Sequence, residues 1–149
     1  MSKVAVVYWS GTGNTESMAN FIVEGLKSQS VEVDVYTSSS FSWENVNDYE
    51  VFAFGCPSMG AEELEESEFE PMFSSIKPHL KGKNIALFGS YGWGSGEWIE
   101  NWQQDCIDNG CNMICNPVIA NEAPEGDAID NCKNLGVKLA KVASELCNA

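Results

Sequence analysis

The stretch from Lys3 to Thr15 constrains the fold of this chain more than any other. Val4, Ala5, Val6, Val7 and Tyr8 form an unbroken apolar run with no polar alternation, the pattern of a strand buried on both faces. The run stops at Ser10-Gly11-Thr12-Gly13-Asn14-Thr15, and Met18, Ile22 and Leu26 then recur at helical spacing. A doubly buried strand, a glycine-rich loop and an amphipathic helix together open a parallel sheet whose crossovers are helices.

The alternation continues along the chain. The pattern predicts strands near Val31 to Thr37, over Val51 to Gly55 and over Asn84 to Gly89, with a polar loop at Ser38 to Ser40. Phe69, Phe73, Ile76 and Leu80 stripe one helix, and Trp98, Trp102 and Cys106 stripe another that Gly110 should end. Cys111 to Ile119 reads as the last strand, and Ile129, Cys132, Leu135, Leu139, Val142 and Leu146 mark a terminal helix. Right-handed crossovers then give a doubly wound α/β architecture in three layers, with a five-stranded parallel sheet in the order 2-1-3-4-5. A chain of 149 residues suits one such domain, from residue 1 to 149. Ligands of these sheets bind beyond the carboxyl ends of the strands, at the switch point between strands 1 and 3. The informative loops are therefore those after strands 1, 3 and 4.

Charge and cysteine content narrow the class. Twenty-two acids against eight Lys and Arg leave a net charge of −14, which repels phosphate backbones and anionic lipid and favours partners with basic docking faces. No apolar run approaches the roughly 20 residues of a membrane span, and nothing reads as an export signal. The six cysteines fall inside apolar-periodic segments, so reduced thiols in a cytoplasm are expected. Cys106, Cys111 and Cys115 are spaced C-x4-C-x3-C, near an iron–sulfur spacing but not equal to it and without a fourth ligand, so they read as buried structural residues. His79, the single histidine, reads as a solvated residue at a helix end.

The loop after strand 1 carries the strongest chemical signal. Two glycines let backbone amides converge, and three hydroxyls with one side-chain amide ring a helix N-terminus, an arrangement that binds phosphate. The lysine of a nucleoside triphosphate loop is missing, and Glu16 stands where the dinucleotide fingerprint needs its third glycine. A phosphate monoester held by neutral donors fits.

This hexapeptide, directly after a first strand, resembles the FMN-phosphate loop of flavodoxins. The resemblance assigns the side chains of Ser10, Thr12, Asn14 and Thr15 and the amides of Gly11 and Gly13 to the phosphate. The loop after strand 3 holds Ser58-Met59-Gly60-Ala61-Glu62, and the loop after strand 4 holds Ser90-Tyr91-Gly92-Trp93-Gly94. A flavin ring needs apolar covers on its two faces and polar groups at its edge, which Met59, Trp93 and Glu62 can supply. The likeness spans the chain and is strongest to short-chain flavodoxins of clostridia and related anaerobes. It rests on the Met59-Gly60 turn, the run Glu65 to Pro71 and the run Leu87 to Gly94. It implies that the Gly60 carbonyl turns toward the protonated flavin N5 and that Asn121 lies near the cofactor. Two positions depart from the family pattern: Pro57 replaces a phosphate-holding serine, with Ser58 beside it as a substitute hydroxyl, and Ala61 replaces an aspartate.

The resemblance implies a monomeric low-potential one-electron carrier, not an enzyme, that shuttles electrons between redox enzymes through FMN in place of ferredoxin. The carboxylates of Glu62, Glu63, Glu65, Glu66, Glu68 and Glu70 follow the flavin turn at once and should disfavour adding an electron to the ring. A quinone or flavin reductase of the same fold would need an open ring face. A signalling receiver would need an aspartate where Gly55-Cys56 ends strand 3.

Overall fold

The computed structural model describes residues 3–59, 63–92 and 94–147. β1 (Lys3–Tyr8) leads into α1 (Asn14–Ser28), β2 (Glu32–Thr37), a 3-10 turn at Ser38–Ser40 and a short α2 (Trp43–Val46). β3 (Val51–Gly55), α3 (Phe69–Ile76), a 3-10 turn at Lys77–His79, β4 (Asn84–Tyr91) and α4 (Glu97–Asp108) follow. The chain closes with β5 (Asn112–Met113), β6 (Val118–Asn121) and α5 (Asp127–Cys147).

All pairings in the sheet are parallel and its order is β2-β1-β3-β4-β5, with β6 also on β4. The expected order 2-1-3-4-5 is therefore present, but the fifth position is occupied by two short strands where one was expected over Cys111 to Ile119. Asn84 and Ile85 pair with β5, and Phe88 to Tyr91 pair with β6. Pro117 sits in the gap and has no N–H to donate to a ladder, so the edge is interrupted there.

Alternation along each strand builds two cores. Ala5, Val7, Phe52, Phe54, Ile85 and Leu87 face α3 and α4, where Phe69, Phe73, Ile76, Trp98 and Trp102 meet them. Val4, Val6, Val51, Ala53, Ala86 and Phe88 face α1 and α5, packing on Met18, Ile22, Leu26, Leu135 and Leu139. Each fully buried large side chain contributes about 1.5–3 kcal/mol, so two continuous layers hold the sheet between its helices. α1 and α5 touch through Gly25 and Gly136: a Cβ on the first would lie 2.1 Å from the Lys133 carbonyl oxygen and on the second 2.2 Å from that of Ile22. His79 is exposed, as expected, with its ring stacked on exposed Trp43 at 5.4 Å.

Candidate functional site

The strand ends are tied together before any side chain is considered. Beyond the named strands, Trp9 N donates to Gly55 O at 3.0 Å, Cys56 N to Phe88 O at 3.2 Å and Ser58 N to Ser90 O at 3.0 Å. Glu122 N donates to Tyr91 O at 2.8 Å. The ladder thus runs on past β1, β3 and β6 and brings the loops after β1, β3, β4 and β6 to one rim. Ser90 and Tyr91, expected in a loop, belong to β4 for this reason.

Between these loops lies a cavity of about 290 Å³ lined by Ser10, Gly11, Thr12, Asn14, Thr15, Ser58, Met59, Ser90, Tyr91 and Gly92. A cavity of about 560 Å³ on the other side of the first loop adds Gly13 and Glu16. A third, of about 890 Å³, lies at the interrupted sheet edge around Met113, Cys115 and Lys138, and none of the three loops reaches it. Convergence of loops at the switch point marks the smaller cavity as the candidate site.

The first loop is shaped to accept an anion. Gly13 takes φ +95°, a left-handed conformation that turns the chain into α1 without a side-chain cap from that residue. Ser10 Oγ takes over part of that task, accepting from Gly13 N at 3.0 Å and Glu16 N at 3.3 Å. Among the described residues, the amides of Gly11, Thr12, Asn14 and Thr15 find no acceptor. Four free N–H groups at the positive end of a 15-residue helix form a neutral donor set for a phosphate monoester. Thr15 Oγ1 and Ser90 Oγ, 3.1 Å apart and buried, join this loop to β4.

The second loop is closed at its neck. Met59 and Glu63 exchange two backbone hydrogen bonds of 2.9 Å. Met59 is 38% exposed and lines the cavity, an apolar surface at its rim. Beyond Glu63 the buried Glu65 carboxylate accepts from the amides of Ser67, Glu68 and Phe69 at 2.8–2.9 Å and from the Ser67 hydroxyl. Burial alone would raise its pKa, but these donors outweigh burial and hold the group at about 2. Glu65 is thus the anchor of the α3 entry rather than one more solvated charge. Cys56, beneath the same loop, accepts from Glu65 N at 3.3 Å, and burial pushes its thiol up to about 12. Trp98 Nε1 donates to Cys56 O at 3.1 Å, fastening α4 under the rim.

Of the expected site residues that the structure describes, Gly13, Gly94 and Asn121 do not line the cavity. Asn121 donates to Tyr91 O at 3.4 Å, and its neighbour Glu122 lines the cavity instead. Gly60, Ala61, Glu62 and Trp93 lie outside the described residues, and so do the expectations for the Gly60 carbonyl and the Trp93 cover. Trp9, Pro57 and Glu122 line the cavity beyond the residues expected to contact the ligand. Trp9 and Pro57 had a signal in the sequence, because residues just beyond the ends of strands 1 and 3 must border a switch-point crevice. Glu122 had none. Cys106 and Cys111 pack on the α3/α4 side of the sheet and Cys115 on the α1/α5 side, so the sheet separates Cys115 from the other two thiols. Among the described residues no metal-ligating group of three forms.

Comparison with known proteins agrees with this geometry. A family model described as Flavodoxin matches residues 6–136. The chain is 47% identical over 138 residues to the flavodoxin of Megasphaera elsdenii, covering 93% of this chain and 98% of that one. It is 39% identical over 137 residues to the flavodoxin of Clostridium beijerinckii, covering 92% and 99%. The solution structure of two-electron reduced Megasphaera elsdenii flavodoxin superposes with a TM-score of 0.86 over 93% of this chain and 98% of that chain.

Proposed function

The chain belongs to the flavodoxin family, and from that premise we propose that it is a low-potential one-electron carrier holding FMN non-covalently in the switch-point cavity. Flavodoxins are electron-transfer proteins whose cofactor is FMN and whose partners are redox enzymes. The finer reading is a monomeric cytoplasmic protein of one domain that replaces ferredoxin between enzymes with basic docking faces. Its net charge of −14 keeps it from nucleic acid and anionic membrane, and among the described residues no helix is long and apolar enough to cross a bilayer.

The observation that carries this reading is the cluster of amides at the start of α1, unpartnered among the described residues, beside Ser58, Met59, Ser90 and Tyr91. The donor set fits the FMN phosphate: the side chains of Ser10, Thr12, Asn14 and Thr15 with the amide of Gly11 would hold it, the Gly13 amide being taken up by Ser10 Oγ, and Ser58 would supply the hydroxyl that Pro57 cannot. Bound there, FMN supplies a ring that takes up and releases electrons one at a time. By the family resemblance, Met59 and Trp93 would cover the ring faces. On the same resemblance, Gly60, Ala61 and Glu62 would meet its edge from one loop and Tyr91 and Gly92 from the other, while Gly94 and Asn121 stand outside the cavity lining. The residues of the chain act on the ring by excluding water from its faces and by placing fixed carboxylates near it, both of which disfavour added negative charge.

The test is reconstitution. The apoprotein should bind FMN one to one, quench its fluorescence and then accept electrons in two separate one-electron steps during a reductive titration. A protein that stays colourless in excess FMN overturns the proposal.

A further inference from the structure

α4 ends in a motif that sets two cysteines side by side. Gly110 takes φ +85°, its amide donates to Ile107 O at 3.0 Å, and the Cys111 amide donates to Cys106 O at 3.1 Å. These are the 5→2 and 6→1 bonds of a Schellman motif, in which the third residue from the helix end and the second residue past the cap touch through their side chains. In this chain both positions are cysteine. One backbone hydrogen bond joining the two residues keeps their Cα atoms inside the roughly 4.4–6.8 Å span that a disulfide bridges.

The two sulfurs are not equivalent. Cys106 is 1% exposed and Cys111 9%. The Cys106 thiol donates to the Cys111 sulfur, with burial adding to the effect, so Cys106 is pushed up. That same donation, assisted by Asn109 Nδ2 at 3.8 Å, outweighs burial at Cys111 and lowers its thiol below the ordinary range. As a thiol, Cys111 also donates to Leu80 O at 3.5 Å, which fixes the position of its sulfur.

We infer that Cys106 and Cys111 form a redox-active dithiol, a modification site at which a peroxide is reduced while an intramolecular disulfide closes across the end of α4. The Cys111 thiolate attacks one peroxide oxygen: an S–O bond forms, the O–O bond breaks, and the departing hydroxide takes up a proton to become water. The Cys106 sulfur then attacks the Cys111 sulfur. The S–S bond forms as the S–O bond breaks, and the second hydroxide leaves as water with the Cys106 proton. Two thiols lose two electrons and two protons, and one hydrogen peroxide becomes two waters. Cys115 lies on the opposite face of the sheet and takes no part.

The experiment treats the FMN-loaded protein with hydrogen peroxide, blocks remaining thiols under denaturing conditions and maps the peptides by mass spectrometry. The expected product has two fewer thiols, a peptide linking Cys106 to Cys111 that has lost two hydrogens, and full recovery on adding dithiothreitol. Its rate of formation should rise with pH, following the Cys111 thiolate. In Cys106→Ser, dimedone should label Cys111 as the stranded sulfenic acid, whereas Cys115→Ser should form the disulfide as the parent does. Retention of all thiols in the parent protein overturns the inference, as does a first oxidation product at Cys115 or between two chains. Because the parent protein alone can give either result, the test stands even where a serine variant folds poorly.

Discussion

Thr15 and Ser90, separated by 75 residues of sequence, place their hydroxyl oxygens 3.1 Å apart beneath the candidate FMN cavity. Thr15 is 1% exposed and Ser90 5%, so the pair is a buried strut between the start of α1 and the end of β4. Thr15 Oγ1 also accepts from Ser90 N at 3.4 Å. Thr15→Val, which keeps the shape and strips both bonds, should destabilise the apoprotein by about 1–3 kcal/mol, the cost of leaving buried polar groups unpaired. FMN affinity should fall as well, because the phosphate loop loses its tie to the sheet. Urea unfolding and FMN titration measure the two effects. An unchanged unfolding midpoint with an unchanged m-value would show that the strut carries nothing.

Glu65 makes an acid-limb prediction. Its folded pKa of about 2 lies below the ordinary value of 4.5, so the folded state binds fewer protons than the unfolded chain in the interval between. The stabilisation is complete above 4.5 and is lost as pH falls through that interval toward 2. Glu65→Gln should lower stability at neutral pH by about 1.5–3 kcal/mol, the scale of hydrogen bonds to a charged group. It should also flatten the pH dependence of stability below 4.5. Circular dichroism of parent and variant across that range decides it, and parallel acid curves would remove Glu65 from the anchor role.

The remaining acids of the same segment have the opposite character. Glu66, Glu68 and Glu70 are exposed, so replacing all three with Gln should leave the fold intact. A carboxylate roughly 10 Å from an added electron contributes about 0.4–1.7 kcal/mol, on the order of 20–70 mV for one electron. The triple variant should therefore show a higher lower-potential couple and slower reduction by a basic partner at low salt. At about 1 M salt, where the screening length falls to about 3 Å, the kinetic difference should vanish. Spectroelectrochemistry and stopped-flow kinetics over a salt series read both.

Gly13 tests the phosphate loop through backbone conformation alone. A Cβ there meets nothing within 4 Å, so Gly13→Ala adds no clash, only the strain of holding an L-residue at φ +95°. The expected cost is about 1–2 kcal/mol in stability, with weaker FMN binding as the amides at the start of α1 lose their alignment. Calorimetry of FMN binding checks the second effect. Affinity equal to the parent's would show that the loop tolerates other backbone states.

Much of this protein was legible in its residues in order. An apolar run without alternation requires burial on both faces, and a glycine-hydroxyl loop before a helical stripe requires a free helix N-terminus. From these, with the two later loops, the parallel sheet, its order and most of the cavity lining follow. Each of those properties is carried by residues adjacent in the chain, which is why local periodicity and spacing expose them.

The remainder depended on which distant groups meet. The charge of Glu65 reads in sequence as one carboxylate among six, and only folding turns the amides of Ser67, Glu68 and Phe69 upon it and buries it. Glu122 reaches the cavity because its amide extends the β4 ladder through Tyr91. Cys111 and Cys115, four residues apart, end on opposite faces of the sheet, while Cys106 and Cys111 are joined by the Gly110 turn at the end of α4. Sequence spacing measures distance along the chain, whereas hydrogen-bond satisfaction, burial and sulfur contact depend on distance through space, and only the packed sheet relates the two.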